Sequence, residues 1–326
     1  MKKLNELFAA LLLVFGLLAA CGTNAEPKKE DTNKEPVSEQ ANEANEESFP
    51  VTIKDAADKD VVIKKKPEKI VSLIPSNTEI VYALGEGNTI VGVSERDNYP
   101  EEVADKEKVA GMELNIEKII SLEPDLVLAH ASTATMWEAG LKQLEDSNVT
   151  VLVVNDSQSF DEVYTSIEMV GKATGKTAEA DQLIQDMKSK LDEMKKQGES
   201  ISAEEQISVF VEVSPAPEIY ATGQNTFMNE MLDVINAKNA VSEEGWVQLN
   251  EEAVIKLNPD VFVITYNFEK NASDKVLKRA GWQDITAIKE KQVHEVNEDL
   301  VSRPGPRIVE GVEELAKAIY PDVFGK

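Results

Sequence analysis

One cysteine, Cys21, and two histidines, His130 and His294, supply all the thiol and imidazole chemistry in a chain of 326 residues. A lone thiol forms no internal disulfide, no Cys-x-x-Cys redox pair and no thiolate zinc site, and two imidazoles fall short of a three-histidine metal centre. His130 ends a strand-like run, where it could reach a metal, but a single histidine at a strand end more commonly hydrogen-bonds. A bare-ion site would have to gather His130 with Glu95 or Asp97 from separate loops. No metal site is therefore expected. Covalent catalysis is no better served. Gly-x-Ser-x-Gly, His-Glu-x-x-His and a Gly-x-Gly-x-x-Gly after a strand are all missing, and the 302–307 segment SRPGPR lacks the Gly-Lys-Ser/Thr of a phosphate loop. No catalytic residue and no cofactor are expected.

Residue types suited to recognition are better represented. Pro75, Ser76 and Asn77 follow one strand-like run; Arg96, Asn98 and Tyr99 follow another; His130 and Ser132 follow a third. Later in the chain Ser214, Trp246, Tyr266, Asn267 and Phe268 hold comparable places, with Arg303 before the last helix. Open α/β sheets bind ligands beyond the carboxyl ends of their strands, so these residues are the candidate walls of a binding cleft. Aromatic faces beside a few hydrogen-bonding groups suit a bulky, partly apolar ligand. Arg96 and Arg303 together would offer planar, permanently charged groups to carboxylate or catecholate oxygens. Trp137 and Trp282 sit on helical patterns and are expected to pack.

The elements that must position these residues alternate. Strand-like runs at 70–74, 90–93, 126–129 and 149–154 interleave with helical stretches at 78–84, 136–144 and 160–172, preceded by a hairpin signal, VTIKDAADKDVVI. A second set follows from 207 to 318. This alternation predicts βαβ units and mainly parallel sheets, an α/β class whose doubly wound architecture is written twice along the chain. Between the sets, Leu183, Met187, Leu191 and Met194 recur at helical spacing without Gly or Pro, which predicts one connecting helix of roughly 30 Å.

An internal match ties the two sets together. NIEKIISLEPDLVLAH at 115–130 aligns with NEEAVIKLNPDVFVIT at 250–265, an offset of 135 residues with six identities. Both copies read as helix cap, short helix, Leu-x-Pro-Asp and buried strand. Asn115 and Asn250 are the expected N-caps, which places Glu117 and Glu252 in the first turns, where a carboxylate gains about 0.3 to 1 kcal/mol from the helix dipole. As equivalent acidic groups on two lobes they could also meet a basic partner at two points.

The chain opens with Lys2, Lys3 and an apolar run that ends in Leu18, Ala19, Ala20 and Cys21. This resembles a bacterial lipoprotein signal peptide over residues 1–20, and the resemblance implies cleavage, acylation of Cys21 and a membrane anchor of the two-chain kind. Residues 21–48 carry almost no apolar content and read as a tether with a reach of roughly 30 Å. The body is then divided into an N-terminal α/β lobe at 49–175, a connecting helix at 176–198 and a C-terminal α/β lobe at 199–326. A formal charge of −26 leaves no basic footprint for nucleic acid and favours partners with basic surfaces.

From Pro67 to the end, the body resembles the solute-binding lipoproteins of iron-siderophore and cobalamin ABC importers. The matching segments are IVSLIPSNTEIVYALG, GVSERDNYP, the two N-x-E helices with their Leu-x-Pro-Asp strands, GWVQLNEEAV and SRPGPRIVEGVEELAKAIYP. The resemblance implies a metal-chelate ligand, a ferric siderophore or cobalamin, held between two lobes with little hinge motion. It further implies that Glu117 and Glu252 meet arginines on two permease subunits served by a cytoplasmic ATPase, with the chain anchored at the outer face of the cytoplasmic membrane. Trp246 matches a ligand-stacking tryptophan of the cobalamin binders, with interlobe packing as its other reading. Arg96 and Gly111 stand where that subgroup has aromatic residues, a departure that favours a ferric chelate. His130 with Met112 would serve as metal ligands in the manner of haem-binding relatives. A receptor for a bare metal ion, or an enzyme on a doubly wound scaffold, are the alternatives.

Overall fold

The computed structural model describes residues 49–325. The expected signal peptide and tether, with Cys21, lie outside the described residues. The described residues begin with the expected hairpin, in which β1 (Val51–Lys54) pairs antiparallel with β2 (Asp60–Ile63), Val51 opposite Ile63. Apolar residues alternate inward along both strands. The Asp55 carboxylate accepts from the amides of Ala57 and Lys59, each at 2.9 Å, and so closes the turn through its own side chain.

The first lobe is a five-stranded, wholly parallel sheet. Its strands are β3 (Ile70–Ser72), β4 (Ile90–Ser94), β5 (Glu107–Ala110), β6 (Leu126–His130) and β7 (Thr150–Val154), in spatial order β5-β4-β3-β6-β7. β3 is central, so the order reverses there, and its carboxyl end is the switch point of a doubly wound sheet. β3, β4, β6 and β7 are largely apolar and buried because helices cover both faces, whereas the edge strand β5 opens with exposed Glu107 and Lys108.

The second lobe differs from a plain repetition of the first. β8 (Ser208–Ser214), β12 (Val261–Ile264) and β13 (Val293–Glu295) run parallel, and the two-residue β10 (Lys238–Asn239) adds to β8. β9 (Ile219–Thr222) and β11 (Trp246–Leu249) run antiparallel to their neighbours. The four residues between β8 and β9 are too few for a crossover, so only a hairpin is open to the chain there.

A 22-residue helix, Thr177–Gly198, joins the lobes and buries Ala180, Ile184, Met187, Leu191 and Met194 along one stripe. Those residues belong to a single apolar cluster that also holds Ile80, Leu126 and Val163 of the first lobe and Val209, Met231, Val312 and Leu315 of the second. The lobes thus share a core through the helix and are not two bodies on a loose linker.

Two helices begin or break away from their expected positions. The helix expected at 78–84 spans Pro75–Ala83, because proline at its start supplies a preset φ and lacks only an amide hydrogen that would be unpaired there. Ser76 and Asn77 are therefore first-turn residues and not loop residues. The stretch expected at 136–144 divides into Ala131–Ala134 and Glu138–Asp146, with Trp137 buried at the break. Trp282 is wholly buried against Phe262 and under the Arg279 guanidinium.

The repeat holds at the level of single bonds. Asn115 Oδ1 accepts from the Lys118 amide at 3.0 Å and Asn250 Oδ1 from the Ala253 amide at 2.8 Å, capping helices Ile116–Ser121 and Glu251–Leu257. Asp125 accepts from the amides of Glu68 and Lys69 ahead of β3; Asp260 accepts from the amide of Ser208 at the start of β8. Each Leu-x-Pro-Asp thus stitches a helix end to the central strand of its own sheet.

Candidate functional site

The carboxyl ends of β3 and β4 approach the second lobe, and a cavity of about 400 Å³ lies between them. Ile74, Pro75, Ser76, Arg96 and Asn98 wall it from the first lobe; Asn267, Glu298, Asp299, Ser302, Arg303 and Pro304 wall it from the second. Six of the sequence-derived candidates, Pro75, Ser76, Arg96, Asn98, Asn267 and Arg303, meet here. They do not all face a ligand in the same way.

Arg303 is engaged within the protein. One of its Nη atoms donates to Glu79 Oε1 at 2.8 Å and to Asn98 Oδ1 at 2.9 Å, while the other pairs with Asp299 Oδ1 at 2.6 Å and reaches the Arg96 carbonyl at 3.3 Å. Arg307 grips the same carboxylate, Nε to Oε2 at 2.9 Å and Nη2 to Oε1 at 2.7 Å. Glu79, 3% exposed on the helix after β3, is thus the centre of a charge network that crosses between the lobes. Arg96 is the opposite case. Its guanidinium is exposed and has no ion-pair partner among the described residues. The two arginines expected to act as a pair are split, one holding the lobes and one left free at the cavity wall.

Ser76 and Asn77 lie beneath this wall. The Ser76 hydroxyl and the Asn77 carbonyl oxygen are buried and have no hydrogen-bond partner among the described residues, while Asn77 Nδ2 donates to the Ala129 carbonyl at 2.9 Å and fixes the helix to β6. A buried hydroxyl without a partner, on a residue at the cavity's edge, is a hydrogen-bonding group in reserve.

The remaining candidates stand apart from the cavity. Tyr99 is half exposed, and Arg307 lies over its ring at 3.8 Å from the centroid, a cation–π contact that assigns the ring to a neighbouring recess with Glu79 and Tyr82. His130 is buried; its Nδ1 lies 2.8 Å from Ser132 Oγ, and burial holds its pKa below the ordinary value. Met112 is 83% exposed, and its carbonyl receives Trp137 Nε1. His294 is half-buried beside Gln292. The Asp97 carboxyl is buried on the amide and hydroxyl of Ser94, and burial raises its pKa. Among the described residues, no three His, Cys, Asp or Glu side chains gather as a metal-holding group.

Tyr266 lies two residues beyond β12 with its hydroxyl on Glu212 Oε1 at 2.7 Å, and that wholly buried carboxylate also receives both Nη atoms of Arg279. Burial and the neighbouring carboxylate push the phenol pKa upward. The Tyr266 ring stacks on Phe268, centroids 5.1 Å apart, and Phe268 is 70% exposed. Trp246 starts β11 with 45% exposure and meets Phe227 edge-on at 6.2 Å. Glu117 and Glu252 are exposed in the first turns of their helices.

Sequence reasoning missed Glu79, Arg307, Glu212 and Arg279. Glu79 stood in view as the one carboxylate in the otherwise uncharged run 70–84, a position that demands a cationic partner once the run is buried. Nothing local singles out Glu212.

A cavity between two α/β lobes, at a sheet's switch point and lined by polar groups, is the geometry of a receptor. The model of the periplasmic binding protein family matches residues 70–300. The chain belongs to that family. Its members are the substrate-binding proteins of ABC transporters and not enzymes, and substrate binding on the extracytoplasmic side of a membrane is accordingly this protein's function. The uncharacterized ABC transporter substrate-binding lipoprotein YvrC of Bacillus subtilis is 53% identical over 325 residues, 99% of each chain. The vitamin B12-binding protein of Vibrio cholerae is 30% identical over 255 residues, 76% of this chain and 87% of that one. Among solved structures, a possible iron-binding periplasmic solute-binding protein from Staphylococcus epidermidis is 40% identical with a TM-score of 0.71, covering 78% of this chain and all of that one.

Proposed function

We propose that this periplasmic binding protein captures a bulky metal chelate, a ferric siderophore or cobalamin, in the interlobe cavity and delivers it to the permease of an ABC importer. The observation that carries this reading is the Arg96 guanidinium, without an ion-pair partner among the described residues, on the wall of an interlobe recess that Ser76, Asn98 and Asn267 also line. A recess of about 400 Å³ takes one anionic arm of such a ligand; in this reading the exposed rings of Phe268 and Trp246 pack on what projects from it. Relatives named for vitamin B12 and for iron support the ligand class. Arg96, a charge donor where the cobalamin binders have an aromatic residue, favours the ferric chelate of the two.

The proposal includes attachment to the outer face of the cytoplasmic membrane through acylated Cys21, supported by the lipoprotein name of the 53% identical relative. It also includes docking of Glu117 and Glu252 on two permease subunits, energised by a cytoplasmic ATPase. The capture step is tested by tryptophan fluorescence of the full chain titrated with ferric hydroxamate, ferric catecholate, ferric citrate, haem and cobalamin. Trp137 and Trp282 are buried, so quenching reports chiefly on Trp246. Saturable sub-micromolar quenching by one of these, repeated by calorimetry, is the expected result; silence from all of them overturns the chelate reading.

A further inference from the structure

The six identities between 115–130 and 250–265 divide into two kinds. Four have a visible duty within the fold. Asn115 and Asn250 cap their helices. Leu122 and Leu257 are partly buried and pack against the cores. Pro124 and Pro259 stop the helices, and Asp125 and Asp260 bind the amides that lead into the central strands. The remaining two pairs have no such duty. Glu117 and Glu252 are exposed, with no hydrogen-bond or ion-pair partner among the described residues. Ile120 and Ile255 are 38% and 36% exposed, while the residues just before them, Ile119 and Val254, fill the cores completely.

Residues three apart on a helix are neighbours on one face. Each lobe therefore presents the same two-residue motif to solvent, a carboxylate with an isoleucine one turn behind it. Both helices lead into parallel strands, so their first turns lie at the carboxyl edges of the sheets, the edges on which the ligand cavity opens. A single exposed isoleucine is unremarkable on any protein surface. Two at the same place in both halves of a repeat, each beside an unpartnered carboxylate, form a matched pair.

We infer that Ile120 and Ile255 are the apolar anchors of the docking surface, each entering an apolar socket beside a basic group on one of two equivalent subunits of the partner. This rests on the proposed docking of Glu117 and Glu252 and adds what those carboxylates alone do not supply. Rim charges steer encounter and fix register, whereas buried apolar anchors slow dissociation. The occupant is a two-subunit membrane permease, because a surface written twice by an internal repeat complements a partner with two equivalent faces, and a chain of −26 net charge favours a basic one.

The test compares the full lipidated chain with its Ile120→Ser/Ile255→Ser and Glu117→Gln/Glu252→Gln double variants. Binding to the coexpressed permease–ATPase complex in phosphatidylglycerol/phosphatidylethanolamine nanodiscs is followed by surface plasmon resonance at low and high salt. The isoleucine variant is expected to dissociate about 10-fold faster with an unchanged salt dependence, whereas the glutamate variant associates more slowly and loses salt dependence. Thermal midpoint and chelate affinity stay at wild-type values in both. If the glutamate variant is impaired and the isoleucine variant dissociates within about twofold of wild type, the anchors are wrong and the docking reading stands. If neither variant differs from wild type, the docking reading itself falls.

Discussion

Glu79 of the first lobe and Arg307 of the second are joined by two parallel hydrogen bonds, at 2.9 and 2.7 Å, with the carboxylate almost wholly buried. Arg303 and Asp299 complete the network, so two carboxylates balance two guanidiniums across the lobe boundary. Removing a buried partner strands the others, and Glu79→Ala is expected to destabilise the protein by about 3 kcal/mol or more. Urea unfolding measures this. A loss below about 1 kcal/mol would assign the network to the class of surface pairs that water can replace.

A second buried carboxylate supports the aromatic wall. Arg279→Met leaves Glu212 with only the Tyr266 hydroxyl and is expected to cost about 3 to 5 kcal/mol. Tyr266→Phe removes one hydrogen bond of three to that carboxylate and costs about 1 to 3 kcal/mol. Paired unfolding curves give both values. Equal losses in the two variants would show that the guanidinium contributes nothing as a charge.

The expected α/β lobes and connecting helix reflect signals carried locally: apolar runs four to six residues long, helical spacing of Leu183, Met187, Leu191 and Met194, and a repeat whose caps recur 135 residues apart. The antiparallel course of β9 and β11 was hidden because it depends on a short connection and not on the strands' own pattern. The site was less legible than the fold. Arg96 and Arg303 look alike in sequence, and it is the distant Glu79 and Asn98, together with Asp299 four residues before Arg303, that decide which one stays available. Tyr266 and Trp246 are both aromatic residues at strand ends. One is buried on Glu212 and the other is exposed, a difference set by residues more than fifty positions away in the first case.

Arg96 and Arg303 are expected to separate on substitution. Arg96→Met removes an exposed guanidinium with no partner to strand, so thermal stability stays within about 0.5 kcal/mol of wild type. Affinity for an anionic chelate falls by about 10-fold, the loss of one charge-assisted contact. Arg303→Met should do the reverse first, lowering stability before any ligand is added. Isothermal calorimetry beside thermal melts reads both effects, and wild-type chelate affinity in the Arg96 variant would remove that residue from the site.

Trp246→Ala is expected to weaken chelate binding by about 1 kcal/mol or more while changing stability little, because the ring is half exposed and only one edge meets Phe227. Competition calorimetry against wild type measures it. An unchanged dissociation constant with a lowered melting temperature returns the ring to packing between elements.

The pH dependence of stability carries a signature of the buried histidines. Burial holds His130 and His294 below the ordinary histidine value, so the unfolded chain takes up protons at a higher pH than the folded one. Their contribution is fully present above about pH 6.5, the unfolded value, and is lost as pH falls through the depressed folded values. The carboxyls of Asp97, Glu230 and Asp233, raised by burial, act oppositely, since a proton bound more tightly when folded favours the fold at low pH. Of the charged groups, Asp156 is the one that opposes the shift at His130. The double variant His130→Asn/His294→Asn keeps a side-chain acceptor for the Ser132 amide and removes both titrations. Urea unfolding at pH 7.5, 6.5 and 5.5 is expected to show a shallower fall in stability for this variant than for wild type. Parallel slopes would mean that His130 takes its proton in the folded state as readily as in the unfolded one, and that its buried position is open to water.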